Sequence, residues 1–202
     1  MPVGAIVLAA GASTRMGQQK LLLPFAGTTV IAHIVRELHA AQVAAVHVVV
    51  GHEPDRVRAA LSSTRVNIVE NPDYTRGMLS SVRSGLASAP SAWTAALIAL
   101  GDQPLIRAAH AARLLAVHAA EPDRILVPGH DGRRGHPLLL PRRYWDEAAV
   151  QHNDTGLRGL LQAHAGEVRV LELGTDDVLS DMDTPDDYAR TLARAESRLP
   201  GS

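Results

Sequence analysis

The chain has 202 residues, and 20 Lys plus Arg against 21 Asp plus Glu leave a formal net charge of −1, so no charge excess exists for coating nucleic acid or a membrane surface. A hydrophobic fraction of 46% over this length fills one sizeable core and excludes intrinsic disorder. With no Cys at all, disulfide scaffolds, thiolate metal sites, iron–sulfur clusters and cysteine nucleophiles are excluded together.

The opening Met1-Pro2-Val3-Gly4 lacks the basic and apolar regions of a secretory signal, and apolar runs such as 95–100 are too short to span a bilayer. A soluble, cytoplasmic protein with no membrane or nucleic-acid partner is therefore expected. Residues 4–10 form a continuous apolar run cut off by Gly11, the pattern of a strand buried on both faces of a parallel sheet. Behind two possible caps, Thr28 and Thr29, the apolar residues Val30, Ile31, Ile34, Val35 and Leu38 recur at helical spacing. A strand at 46–50, a short helix at 54–61 and a strand at 66–69 follow. The alternation continues with a helix at 79–87, a strand at 95–100, a helix at 107–118 and a strand at 124–127. This is the rhythm of an α/β, doubly wound, mostly parallel sheet.

The second half is less regular. Residues 129–135 read as a polar, Gly-rich turn, 137–140 as a strand, 154–163 as a helix and 168–173 as a strand, so a small antiparallel insertion or edge is expected there. Thr184-Pro185-Asp186-Asp187 combines a cap, a proline at the first helical position and acids in the first turn. It starts a last helix with Tyr188, Leu192 and Ala195 as the buried stripe. The whole chain, 1–202, is expected to be one domain, with nucleotide binding mainly in 1–105 and acceptor binding mainly in 106–202.

Ligands of open parallel sheets sit at the carboxyl ends of the strands, which directs attention to the loop after the first strand. Its glycines, Gly11 and Gly17, match neither the Walker A nor the G-x-G-x-x-G spacing. The loop nonetheless suits a polyphosphate: glycine lets backbone N–H groups approach oxygens, Ser13 and Thr14 add hydroxyls, and Arg15 and Lys20 add two cations. Lys20 is also the sole lysine among the 20 basic residues. On composition alone a solvated strand-to-helix loop remains open.

The segment Leu8-Ala9-Ala10-Gly11-x-Ser13-x-Arg15-Met16-Gly17-x-x-Lys20 resembles the signature of the nucleotidyltransferases of molybdenum cofactor. Members of that family have a Rossmann-like nucleotidyltransferase fold and join a nucleoside monophosphate, taken from a nucleoside triphosphate, to the phosphate of molybdopterin, with release of pyrophosphate. The resemblance places the loop around the triphosphate and Arg15 and Lys20 on its phosphates. Gly101-Asp102-Gln103-Pro104 is similar to the family element whose Asp holds Mg²⁺, although by itself the Asp102 carboxylate also suits a cap for the helix near Ile106. Asp181-Met182-Asp183-Thr184-Pro185 resembles a second acidic element, and Asp183, just before Thr-Pro, is preferred to Asp181 as the second metal ligand.

Asn71-Pro72 through Gly77-Met78-Leu79-Ser80-Ser81 is similar to a family segment beside the base and sugar, which makes Asn71, Gly77, Ser80 and Ser81 expected nucleotide contacts; the same residues also read as simple helix capping. Arg134-Gly135-His136-Pro137 and Asp154-Thr155-Gly156-Leu157-Arg158 resemble acceptor-binding elements, with Asn153 where the family has glycine. Arg134, Gly135, His136, Pro137 and Arg158 are thus expected to meet the acceptor, with His136 stacked in a turn as the competing reading. Within the resemblance, Ala10 in place of a second glycine favours the cytidylyl branch and implies CTP, with guanylyl transfer to the same acceptor as the alternative. A molybdenum hydroxylase or its maturation factor is the implied recipient. Transfer to a sugar phosphate, a sugar acid or an isoprenoid precursor, and a non-catalytic delivery protein, are the competing functions. The remaining histidines form no zinc-binding spacing, and the few aromatics are too scattered to stack single strands.

Overall fold

The computed structural model describes residues 1–13 and 16–198; Thr14 and Arg15, both expected at the phosphates, lie outside the described residues. In chain order the elements are β1 (Val3–Ala9), β2 (Pro24–Phe25), β3 (Thr28–Thr29), α1 (Val30–Ala40), β4 (Val46–Val50), α2 (Pro54–Ala60), β5 (Asn67–Glu70), α3 (Met78–Ala87), β6 (Ala95–Leu100) and α4 (Ala108–Ala120). The second half adds β7 (Ile125–His130), β8 (Arg133–Arg134), β9 (Leu138–Pro141), α5 (Trp145–Val150), α6 (Leu157–Ala163), β10 (Val168–Glu172) and α7 (Pro185–Glu196).

One mixed sheet runs in the order β10-β7-β9-β6-β1-β4-β5, with β8 paired to β7 beside that path. β1 lies parallel to β4 and β6, β4 to β5, and β7 to β10, whereas β9 is antiparallel to both β6 and β7. A separate two-stranded antiparallel ribbon joins β2 to β3. The antiparallel part of the second half is therefore an insertion in the middle of the sheet.

Pleating sends alternate side chains of β1 to opposite faces. Ala5, Val7 and Ala9 enter one core with residues of α1, α4 and α7, while Ile6 enters the other with residues of α3, α5 and α6. Both faces are covered by helices, so the strands read as mainly apolar runs. Of the two expected caps of α1, it is the Thr29 hydroxyl that accepts the Ala32 N–H, at 3.4 Å. In α7, Tyr188, Leu192 and Ala195 pack half-buried against the first core, and Thr191 is the residue of the helix that is buried.

Three boundaries differ from the expectations. The expected turn at 129–135 is a hairpin: Gly129 and His130 stay in β7 and pair with Arg134 and Arg133, leaving Asp131 and Gly132, both at positive φ, as the tip. α6 starts at Leu157 because Gly156, at φ 61°, cannot continue a helix backwards to 154. The short α5, which buries Trp145 and Ala148, was not expected at all.

Candidate active site

Every parallel strand from β6 to β5 ends at one rim, and the loops leaving β1 and β6 stand side by side there. The loop from β1 is closed on itself. The Ser13 hydroxyl donates to Gln19 Oε1 at 2.8 Å and accepts the Lys20 N–H at 3.2 Å, while Gln19 Nε2 approaches the Gly11 carbonyl at 3.5 Å. Gln19 is buried in doing so. Lys20 opens a single 3-10 turn whose next residue, Leu21, is buried in the core, which fixes where the ammonium is presented.

Asp102 follows β6, whose exit is pressed onto β1: Gly101 N–H donates to the Leu8 carbonyl, and a Cβ on Gly101 would stand 2.8 Å from that oxygen. The Asp102 carbonyl in turn accepts the Met182 N–H at 3.1 Å, which draws the segment before α7 onto the rim. There the Asp187 carboxylate accepts from the backbone N–H groups of Asp183 and Thr184 and from the Thr184 hydroxyl, and the Thr184 hydroxyl oxygen accepts the Asp187 N–H in return. This capping box orients Asp183 as well as starting the helix.

The result is a three-member ion cluster. Lys20 Nζ lies 2.5 Å from Asp102 Oδ2 and 2.9 Å from Asp183 Oδ1. Burial disfavours the charged amine, but the two carboxylates outweigh burial and hold the ammonium above the ordinary lysine range. Asp181 takes a different partner, Gln103 Nε2 at 2.6 Å. Burial, reinforced by the charges of Asp102 and Asp183, raises its carboxyl above the usual range despite that hydrogen bond.

The cluster is the floor of a cleft of about 550 Å³. Leu8, Ala9, Ala10, Gly11 and Ser13 line one side, and Tyr74, Thr75, Gly77, Met78 and Ser81 the other. Gly77 sits at φ 98° with open space where a side chain would be, and it is the residue from which α3 starts without a side-chain cap. The Gly77 N–H itself donates to the Tyr74 carbonyl at 3.2 Å, while the start of α3 behind it has no side-chain cap, an arrangement that attracts anions. Asn71 and Ser80 are not brought to this cleft. Asn71 donates to the hydroxyls of Ser80 and Ser81, and Ser80 donates to the carbonyls of Asp73 and Gly77, so both brace the turn that carries Gly77.

A second cleft of about 690 Å³ lies across the Gly77–Met78 wall, which lines both. Leu79, Val82, Val127, Leu138, Leu157 and Leu161 give it an apolar bed, while Arg134, Gly135, His136 and Arg158 reach it from the second half. Pro137 is buried behind a cis His136–Pro137 bond. Arg134 and Arg158 form no ion pair among the described residues, and no Asp or Glu lines this cleft. His136 N–H is held by the Val178 carbonyl at 3.0 Å. Burial keeps its imidazole less basic than usual, with the nearby Asp102 opposing, so the ring is neutral at neutral pH.

Two carboxylates at the floor of this cleft are hard oxygen donors of the kind a divalent cation takes. No group of three or more His, Asp or Glu among the described residues could hold a metal by itself. The residues fit a cation whose remaining ligands come from a bound triphosphate.

The profile of the MobA-like NTP transferase domain matches residues 5–168. The chain belongs to that family. This MobA-like transferase is 28% identical, over 95% of its length and 96% of the relative's, to the molybdenum cofactor cytidylyltransferase of Escherichia coli K12. It resembles the crystal structure of Rv0371c from Mycobacterium tuberculosis at 33% identity and a TM-score of 0.82, covering 96% of this chain and 99% of that one. A structure of Rv0371c in complex with manganese matches at 31% identity and a TM-score of 0.81, over 96% and 99% of the two chains. The MobA-like chain is thus an enzyme of the nucleotidyltransferase type with a cytidylyltransferase homologue. No helix among its described residues is long and apolar enough to cross a membrane.

Sequence reasoning gave Gln19, Gln103 and Met78 no role of their own, and it read Asp187 only as an acid in the first helical turn. Only Asp187 carried a usable signal, the Thr-x-x-Asp spacing of a capping box. The roles of Gln19 and Gln103 depend on partners that only the folded loops bring near.

Proposed function

We propose that this transferase moves CMP from CTP to the phosphate of molybdopterin and releases pyrophosphate. The carrying observation is the pair of clefts with one common wall: one floored by Lys20, Asp102 and Asp183, the other cationic, acid-free and bedded on aliphatic side chains. A triphosphate fits the first, drawn from residues 1–105 apart from Asp183. A flat anionic acceptor fits the second, to which the later half contributes most. The cytidylyltransferase relative and Ala10, which lines the first cleft with its methyl group close to Gly51 behind it, favour the smaller base.

In the reaction an acceptor phosphate oxygen forms a bond to the α-phosphorus, and the bond from that phosphorus to the bridging oxygen breaks, so pyrophosphate leaves with the electron pair. No covalent enzyme intermediate is needed. Catalysis of such a step is alignment and charge neutralisation. Lys20 supplies a permanent ammonium to the phosphates, joined by Arg15, and the uncapped start of α3 at Met78 orients oxygens near the wall. Ser13 holds the loop in shape. Across the wall, Arg134, Arg158 and the neutral His136 ring bind and orient the acceptor. Asp102 and Asp183 would hold Mg²⁺, which when bound neutralises phosphate charge.

The test offers each of the four ribonucleoside triphosphates with Mg²⁺ and molybdopterin and measures pyrophosphate. CTP should be consumed fastest, with cytidylylated molybdopterin as product. Preference for GTP would overturn the base assignment; turnover only with a sugar or isoprenoid phosphate, or none, would overturn the acceptor.

A further inference from the structure

The reacting groups must meet at the wall between the clefts, and the charges there are unequally matched. In the first cleft, Lys20 is already bound to two carboxylates. The wall itself is the run 74–78: Tyr74 and Thr75 line the first cleft, Arg76 the second, and Gly77 and Met78 both. Arg76 is therefore, among the second cleft's cations, the one next in the chain to the junction. Its side chain is 76% exposed, and its only ion pair among the described residues is a long one, 3.9 Å to the exposed Asp73. A pair of that kind contributes little and leaves the guanidinium available.

We propose that Arg76 is a specificity-determining residue that binds the acceptor's phosphate at the junction, holding it against the nucleotide. This rests on the two-cleft reading above. A guanidinium fork matches two phosphate oxygens at once. Its place on a single 3-10 turn between β5 and α3, braced by the Asn71 and Ser80 hydrogen bonds, gives it a defined base. Such a group sets the acceptor's phosphate beside the wall while Arg134 and Arg158 hold it from the far side.

The experiment uses wild-type protein, Arg76→Ala and Arg76→Lys, each saturated with Mg²⁺ and a non-hydrolysable CTP analogue, titrated calorimetrically with molybdopterin and separately with inorganic phosphate. Arg76→Ala should weaken both by about tenfold or more, the scale of one lost charge-assisted contact, and leave binding of the analogue unchanged. Arg76→Lys should recover part of the loss. In steady state, the acceptor KM should rise while the CTP KM stays put. Equal phosphate affinity in wild type and Arg76→Ala overturns the inference, as does a loss confined to the nucleotide. If wild type binds phosphate through Arg76 but ignores molybdopterin, the inference stands and the acceptor reading falls.

Discussion

At the scale of single residues, Lys20 is the centre of the proposed chemistry. It is the chain's sole lysine, its ammonium touches both Asp102 and Asp183, and the loop that presents it is closed by Ser13 and Gln19. A cation aimed at developing phosphate charge is worth about 10²–10³ in rate. Lys20→Met should lower kcat for pyrophosphate release by about that factor while the far-ultraviolet circular dichroism stays that of the wild type; parental turnover would remove Lys20 from the mechanism. Lys20 and Asp102 were legible because each follows a buried strand at the end where ligands bind. That Asp183 joins them was not visible in spacing, since it depends on the Met182 to Asp102 backbone bond between segments far apart in the chain.

At the scale of elements, Gly135 shows how a motif residue acquires its reason. It reads as part of an acceptor-binding Arg-Gly-His-Pro, but a Cβ there would stand 2.1 Å from the Val178 carbonyl oxygen. That same carbonyl holds His136 N–H, so the missing side chain lets the turn before α7 dock and set the histidine. Gly135→Ala should cost about 2 kcal/mol or more of stability by overpacking, read as a lower denaturant midpoint, and should raise the acceptor KM; an unchanged midpoint would mean the backbone yields without cost. Strands β1, β4, β6 and β7 were legible because two-sided burial makes each a mainly apolar run, broken in β4 only by His47 and in β7 only at its Pro128-Gly129-His130 end. The strand β9 was legible too, but not its direction or its place between β6 and β7, since register is set by tertiary pairing. The six residues of α5 are too few for a helical period to declare itself.

At the scale of the whole molecule, burial depresses the basicity of His33, His47, His110, His118 and His136. As pH falls below the unfolded-chain value of about 6.5, the unfolded chain takes up protons that the folded one refuses. The stabilisation is complete above that pH and is lost progressively toward the lower folded values. Thermal melting should therefore give a lower midpoint at pH 5 than at pH 7, before carboxylate protonation adds to the loss; a flat profile would show that these rings keep their ordinary basicity. The order β10-β7-β9-β6-β1-β4-β5 also sets the two clefts back to back on Gly77 and Met78. A finished dinucleotide would straddle that partition with one end anchored on either side. Whenever one end let go, the other would tether it close to its seat, so rebinding would outrun escape, and unloading would become the slow stage of each cycle.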